Sequence, residues 1–263
     1  MAIAVRAVND GCSFSTNSPV PTIPAAQVTT DMMLVIAAVK PFDAGWSVSG
    51  WTALDSGASG STAAGVDTGS MKAQVWWKEA TSDTETNPTV TEGSPVFNIA
   101  GAVVAVFSKD VSETWSAPVV VYGADEANGT SVSVTTSADP GVTAGDYAVT
   151  FLGVNTDNIT PLTGSPAALV ATQTGVTFGA FTTHVVTVAS WETTFGGDMG
   201  MHVASAAVSS GTGSAAPVLT GTGTASGGAD MLEAGFIRLR VSGGAAATSL
   251  LDSNRMSRWL VVR

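Results

Sequence analysis

The chain has 263 residues, of which 44% are apolar and only 12% charged, and its formal net charge is -11. That length suffices for one large all-β domain or two small ones, while the scarcity of charge excludes long amphipathic helices, whose outer faces need it. No Lys or Arg occurs between Lys109 and Arg238, which argues against a polyanion-binding surface and against nucleic acid as a partner.

Met1 leads into Ala-Ile-Ala-Val without a basic region, an apolar stretch and a cleavage site in series, so no secretion signal is read here and a cytoplasmic start is expected. Cys12 is the single cysteine, which excludes an intrachain disulfide and a cysteine-based metal site. The longest apolar runs, Met32 to Val39 and Ile99 to Phe107, are less than half of the ~20 residues that a membrane helix needs. A soluble protein with no membrane insertion is expected.

In chain order, short runs of Val, Thr, Ile and aromatic residues bounded by Gly, Pro, Asn and Asp predict strands near 3–9, 32–40, 50–55, 71–79, 87–92, 97–107 and 118–122. Further strands are expected near 131–136, 146–154, 166–172, 183–190, 200–208, 216–220 and 231–241. Stretches such as DSGASGSTAAGVDTGS and TGTGTASGGAD have little to bury and read as exposed loops.

Two internal echoes organise these strands. TTDMMLVIAAV aligns with AGDYAVTFLGV, pairing Asp31 with Asp146, Leu34 with Val149, Ile36 with Phe151 and Ala38 with Gly153; MKAQV aligns with MGMHV, pairing Met71 with Met199. Each is followed by a Pro-containing polar stretch and an apolar strand. The expected fold is all-β, an antiparallel two-sheet β-sandwich of jelly-roll type spanning 1–243, with pseudo-repeated halves at about 1–115 and 116–243. Two tandem sandwiches are the alternative. Residues 244–263 read as a linker and a C-terminal docking arm, in which Arg255, Arg258 and Arg263 surround Trp259, Leu260, Val261 and Val262.

Several positions are candidate contacts. Trp51, after Gly50, opens an alternating stretch and reads as a ring closing the end of the sandwich; Trp46, in a loop, reads as a rim residue or as an exposed contact for a partner subunit or a sugar. In KAQVWWKEA, period-two geometry places Lys72, Gln74, Trp76 and Lys78 on one face and Trp77 on the other, the likelier core side. The first face is a candidate surface contact, for a subunit ahead of a glycan. Asn155 to Asn158 has calcium-loop composition without calcium-loop spacing and reads as a turn. His184 and His202 lie in separate strands without metal-ligand spacing. No catalytic, metal or cofactor motif is present, although paired carboxylates of the glycosidase kind need not be close in sequence.

The segments DMMLVIAAVK, GWTALDS, VWWKEAT, PTVT, AGAVVAVFSKDV, GDYAVTFLGVNTDNIT and FIRLRV, in that order, resemble a family of virion proteins of tailed bacteriophages, assigned to minor tail or other surface-exposed components. The likeness spans roughly 2–243. It departs from the family pattern in VSGWT, where relatives carry Pro, and in the arm, which lies beyond the family's usual end. The resemblance implies a non-enzymatic β-sandwich with a structural or adhesive role, a minor tail protein first and a capsid decoration protein or carbohydrate-binding module as alternatives. It implies synthesis in the host cytoplasm and partners among other tail or capsid subunits, further copies of the chain and a host surface glycan. No cofactor and no catalytic residue come with it.

Overall fold

The computed structural model describes residues 3–9, 13–15, 18–40, 45–59, 71–91, 99–125, 131–156, 167–189, 198–222 and 231–243. The chain is all-β: these residues form strands, turns and bends, and no helix long and apolar enough to cross a membrane.

The first half contributes β1 (Ala4–Val8), β2 (Ser13–Ser15), β3 (Met32–Lys40), β4 (Ser47–Val48), β5 (Thr52–Ser59), β6 (Met71–Glu79), β7 (Val90–Thr91) and β8 (Ile99–Ser108). The second contributes β9 (Thr114–Trp115), β10 (Val119–Asp125), β11 (Ser131–Thr135), β12 (Tyr147–Thr156), β13 (Ala167–Thr172), β14 (Val176–Phe178), β15 (Thr182–Ala189), β16 (Asp198–Gly211), β17 (Val218–Thr222), β18 (Met231–Leu239) and β19 (Val241–Ser242). One six-stranded antiparallel sheet has the order β1-β8-β3-β6-β5, with β2 also on β8; the other has the order β10-β18-β12-β16-β14, with β15 also on β16. Among the described residues each large sheet takes its strands from one half of the chain.

The two orders correspond residue by residue. Ile36 pairs with Val75 and Val103, and its echo partner Phe151 pairs with Val203 and Gly235. On the neighbouring strand Thr52 lies opposite Trp77 and Thr182 opposite Ser205, and β5 and β15 then both bulge, between Ala53 and Ser56 and between Thr183 and Val185. A bulge adds local twist and is a positional feature of a fold.

Equivalent faces of the sheets bury each other. Leu34, Ile36, Val75, Ala105 and Phe107 pack with Val149, Phe151, Val203, Ile237 and Leu239 in one core, and β6 meets β18 as β8 meets β16. The two-fold character shows where Ala38 and Gly153 face each other. A Cβ on Gly153 would come within 2.7 Å of the Ala38 Cβ, so only one of the two equivalent positions can carry a side chain. Like faces meeting like is the geometry of a homodimer interface, here within one chain.

The outer faces are covered differently. Over the first sheet, Ile23, Trp46, Val48 and Val90 pack on Met33, Val35, Trp76 and Val104; over the second, a three-stranded sheet β11-β17-β13 brings Val134, Leu169 and Leu219 onto Leu152, Ala234 and Phe236. Both faces of β3 are therefore apolar, which is why Met32 to Val39 reads as an unbroken run rather than an alternation.

One end of the sheets, the base, is held by matched turns. Asp31 is buried, accepts the Val28 N–H at 2.9 Å and pairs with Arg6 at 2.6 Å; Asp146 accepts the Thr143 N–H at 2.8 Å and takes both arms of Arg240 at 2.7 Å. Ala80 N–H donates to the Asp31 carbonyl as Val208 N–H donates to that of Asp146. At the opposite end the chain leaves the sheets after Lys40, Ser59, Asp125, Thr156, Ala189 and Thr222, and re-enters at Met71, Ile99, Ser131, Ala167, Asp198 and Met231. The arm, 244–263, lies outside the described residues, and so do Asp157 and Asn158; Asn155 and Thr156, read as part of a turn, are the last residues of β12.

Candidate functional site

Near the loop end, the edge strands β5 and β10 of the two sheets close on each other and leave a cleft of about 610 Å³, lined by Asp55, Ser56, Tyr122, Ser137 and Glu233 among others. Its floor is set by close approach. Gly57 has no room for a side chain, because a Cβ there would run into the Glu233 carboxylate and the Tyr122 ring. Tyr122 lies edge-on to Phe151, with centroids 5.8 Å apart, and its Oη donates to the Asp55 carbonyl at 2.5 Å. Burial, and then the charges of Glu233 and Asp55, push its hydroxyl well above the usual tyrosine value. This phenol stays neutral and donates to backbone, so it serves as an inter-sheet latch and is no nucleophile. Among the described residues the lining offers two carboxylates and two serine hydroxyls and no Lys, Arg or His. Such a surface accepts hydrogen bonds from neutral polyhydroxyl or cationic groups and repels anions.

A second polar group joins β15 to β16. His184 Nε2 lies 2.7 Å from Ser205 Oγ, and Tyr147 Oη lies 3.3 Å from the same oxygen. Ser205 is 1% exposed and lies between strands, so the contact ties the bulged edge strand to its neighbour. His202 is 3% exposed, and burial, with His184 adding to it, lowers its imidazole to about 4. Among the described residues no three His, Cys, Asp or Glu side chains gather as metal ligands would.

The surface contacts read from sequence need correction. Trp46 is 8% exposed and stacks on Trp76, which is 1% exposed, with ring centroids 6.0 Å apart and planes 20° apart; Lys72 is 7% exposed. Gln74 is half-buried and donates to the Leu54 carbonyl at 3.5 Å, and half-buried Lys78 pairs with Glu85 at 2.6 Å. The division of β6 into two faces holds, but on the Lys72-Gln74-Trp76-Lys78 face Trp76 is covered by Trp46, Ile23, Val48 and Val90 from distant segments, so the face is no open stripe. Trp77, expected in the core, is half-buried at the margin of the inter-sheet core. The roles of Trp46 and Trp51 are also reversed: Trp51 is half-buried at the edge of the outer cluster, and Trp46 lies within it. The signal missed was Trp46, just before β4, and Val48 within it, two apolar residues two positions apart that enter the same outer cluster. The arm residues Arg255, Arg258, Trp259, Leu260, Val261 and Val262 lie outside the described residues.

Sequence reasoning did not find Tyr122, Glu233 or Gly57, which sit on different strands and meet only across the sheets. No known protein family matches the chain, and no characterised protein or solved structure matches it either.

Proposed function

We propose that the chain is a non-enzymatic structural component of a tailed-phage virion, a minor tail protein displayed on the particle surface. The observation that carries this reading is the separation of the two ends of the fold. The last described residue, Gly243, follows β19, which pairs with β9 at the base, so the arm departs from there; the polar, Gly/Ser/Thr-rich connections leave from the opposite end. A protein held at its base through the arm and presenting loops outward has this arrangement. Its partners are neighbouring tail or capsid subunits and further copies of itself, and its place is the virion. The finer architecture is part of the proposal. Two stacked antiparallel sheets support a β-sandwich, and the separate strand sets make it a doubled sheet more than a wound jelly roll.

The same geometry would serve a decoration protein on the capsid, and particle location separates head from tail. Mass spectrometry of purified virions, with and without residues 249–263, tests the proposal. The full chain is expected in particles and the truncated, folded chain is expected to be missing. A truncated chain incorporated at normal copy number would contradict it. A glycan-binding role has one support of its own, the cleft with Asp55, Ser56, Ser137 and Glu233. Glycan-array binding lost in Asp55→Ala would favour it, and an array without signal would remove it.

A further inference from the structure

The edges of the sheets are not equally protected. An open strand edge is a template for pairing with another chain, and proteins blunt it with charge, bulges or cover. β1 carries Arg6 and a register shift between Val5 and Ala7. β5 carries Asp55, Gly57 and a bulge, and it packs against β10. On β10 the Tyr122 carbonyl accepts the Ser137 N–H at 2.7 Å, so its free side is already in use. β15 differs. Beyond its bulge, Val185–Ala189 pair regularly with Met199–Val203 of β16, and TTHVVTVA contains no acidic or basic residue other than His184, no Pro and no Gly. Among the described residues β15 has a strand on one side only.

We infer that the β15 edge receives the C-terminal arm of a second copy of this chain, with Trp259–Val262 adding as a strand. This rests on reading residues 249–263 as a docking arm and not on the virion assignment. WLVV is a short β-capable apolar run that soluble proteins do not leave exposed, and pairing along an edge is how such a run is taken up. The geometry selects a neighbour over the chain's own edge. The arm departs beside β9 and β19, on the β10 side of the second sheet, where a Cβ on Gly243 would lie 3.9 Å from the Ser112 carbonyl. β15 is at the opposite side, three strand spacings from β18, roughly 15 Å away. In copies placed side by side, the donor side of one adjoins the acceptor edge of the next, whereas a chain's own arm would have to cross beneath β18, β12 and β16. The fifteen residues 244–258 reach about 50 Å when extended, ample for the neighbour. Donor and acceptor on opposite sides make a head-to-tail contact, which gives a ring where the rotation closes and an open filament where it does not.

Sedimentation of the full-length chain over a range of concentrations, combined with backbone hydrogen exchange, tests this. The full chain is expected to associate with rising concentration, and amides of 185–189 to exchange on the order of tenfold more slowly than in a chain lacking 244–263. The truncated chain, and full-length Val261→Pro, which removes a strand donor from the arm, are both expected to be monomeric. Three results would overturn the inference: association that persists without the arm, a full chain that stays monomeric whether or not β15 is protected, or β15 exchange that is the same with and without the arm. A chain that associates through β15 yet is missing from virions would leave the inference standing and end the virion reading.

Discussion

The two halves share a strand order and a register but solve the problem of their outer faces in different ways. Trp76 and Ala204 occupy the same place: each lies one step from the edge-strand pairs that match, opposite Ala53 and Thr183. In the first half the cover is thin, made of β4, β7 and the segments flanking them, and the stacked rings of Trp46 and Trp76 fill the volume. In the second half a complete three-stranded sheet comes close, and a small residue is what that approach allows. The inner faces, by contrast, are alike because each is the other's cover. Duplication therefore constrains the faces that meet and leaves the outer faces and edges to diverge.

The comparison breaks most severely if the outer solutions are exchanged. Ala204→Trp is expected to abolish folding, because a buried site with a sheet against it has no room for the ring. Trp76→Ala should lower stability by about 3–5 kcal/mol and Trp46→Ala by a similar amount, with the double variant less than additive because the rings touch. Trp51→Ala should cost less than either. Chemical denaturation of the four variants checks this order, and Trp51→Ala as the most damaging of the tryptophan changes would contradict it.

The next effect is pH-dependent. His202 and Gln74 are equivalent, lying opposite Val186 and Ser56 past the matched bulges. Burial holds the His202 imidazole neutral down to about 4, against an ordinary value of 6.5. The unfolded chain therefore binds more protons in that interval, and the stability His202 contributes is complete above 6.5 and is lost as pH falls toward 4. His202→Gln should flatten the fall in stability over this window by roughly 2–4 kcal/mol, measured as the difference between unfolding curves of the two proteins at several pH values. Parallel pH profiles would show that the histidine is not the cause.

A smaller change addresses the two-fold contact itself. Gly153→Ala should destabilise by roughly 1–3 kcal/mol through its clash with the Met71 methyl and with Ala38. Ala38→Gly added to it should recover part of the loss, since it removes the Ala38 contact and leaves only the flexible Met71 methyl to move. The smallest effect is expected from Glu85→Gln. Burial would raise this carboxyl, but hydrogen bonds from Lys78 and Thr81 hold it near 2, so its contribution is present above 4.5 and fades as pH falls toward 2. Unfolding curves should differ from the parent by about 1 kcal/mol or less at neutral pH and converge in acid.

What was legible in the sequence follows from range. The all-β class and the strands around Met32–Lys40, Met71–Glu79 and Met231–Leu239 are written in local runs, and Asp31 and Asp146 mark matched positions because each caps its own turn three residues back. The short strands β4 and β9 left no trace, since two residues cannot display a period, and β19 was read as the end of β18. Trp46 and Trp76 were misjudged because they share their outer cluster with Ile23 and Val90, far along the chain. The cleft was invisible for the same reason: Gly57, Tyr122 and Glu233 have no common motif and meet only when the second sheet lies on the first.

The most direct test of the proposed virion role is a subunit-resolution cryo-electron microscopy map of the particle that would carry the chain. The account predicts the base, with Asp31, Asp146 and Gly243, turned toward the particle, and the strand ends at Lys40, Ser59, Thr156 and Ala189 turned outward, with the chain repeated about a tail axis. Particles without density for the chain, or density with those strand ends packed inward and the base in solvent, would contradict it.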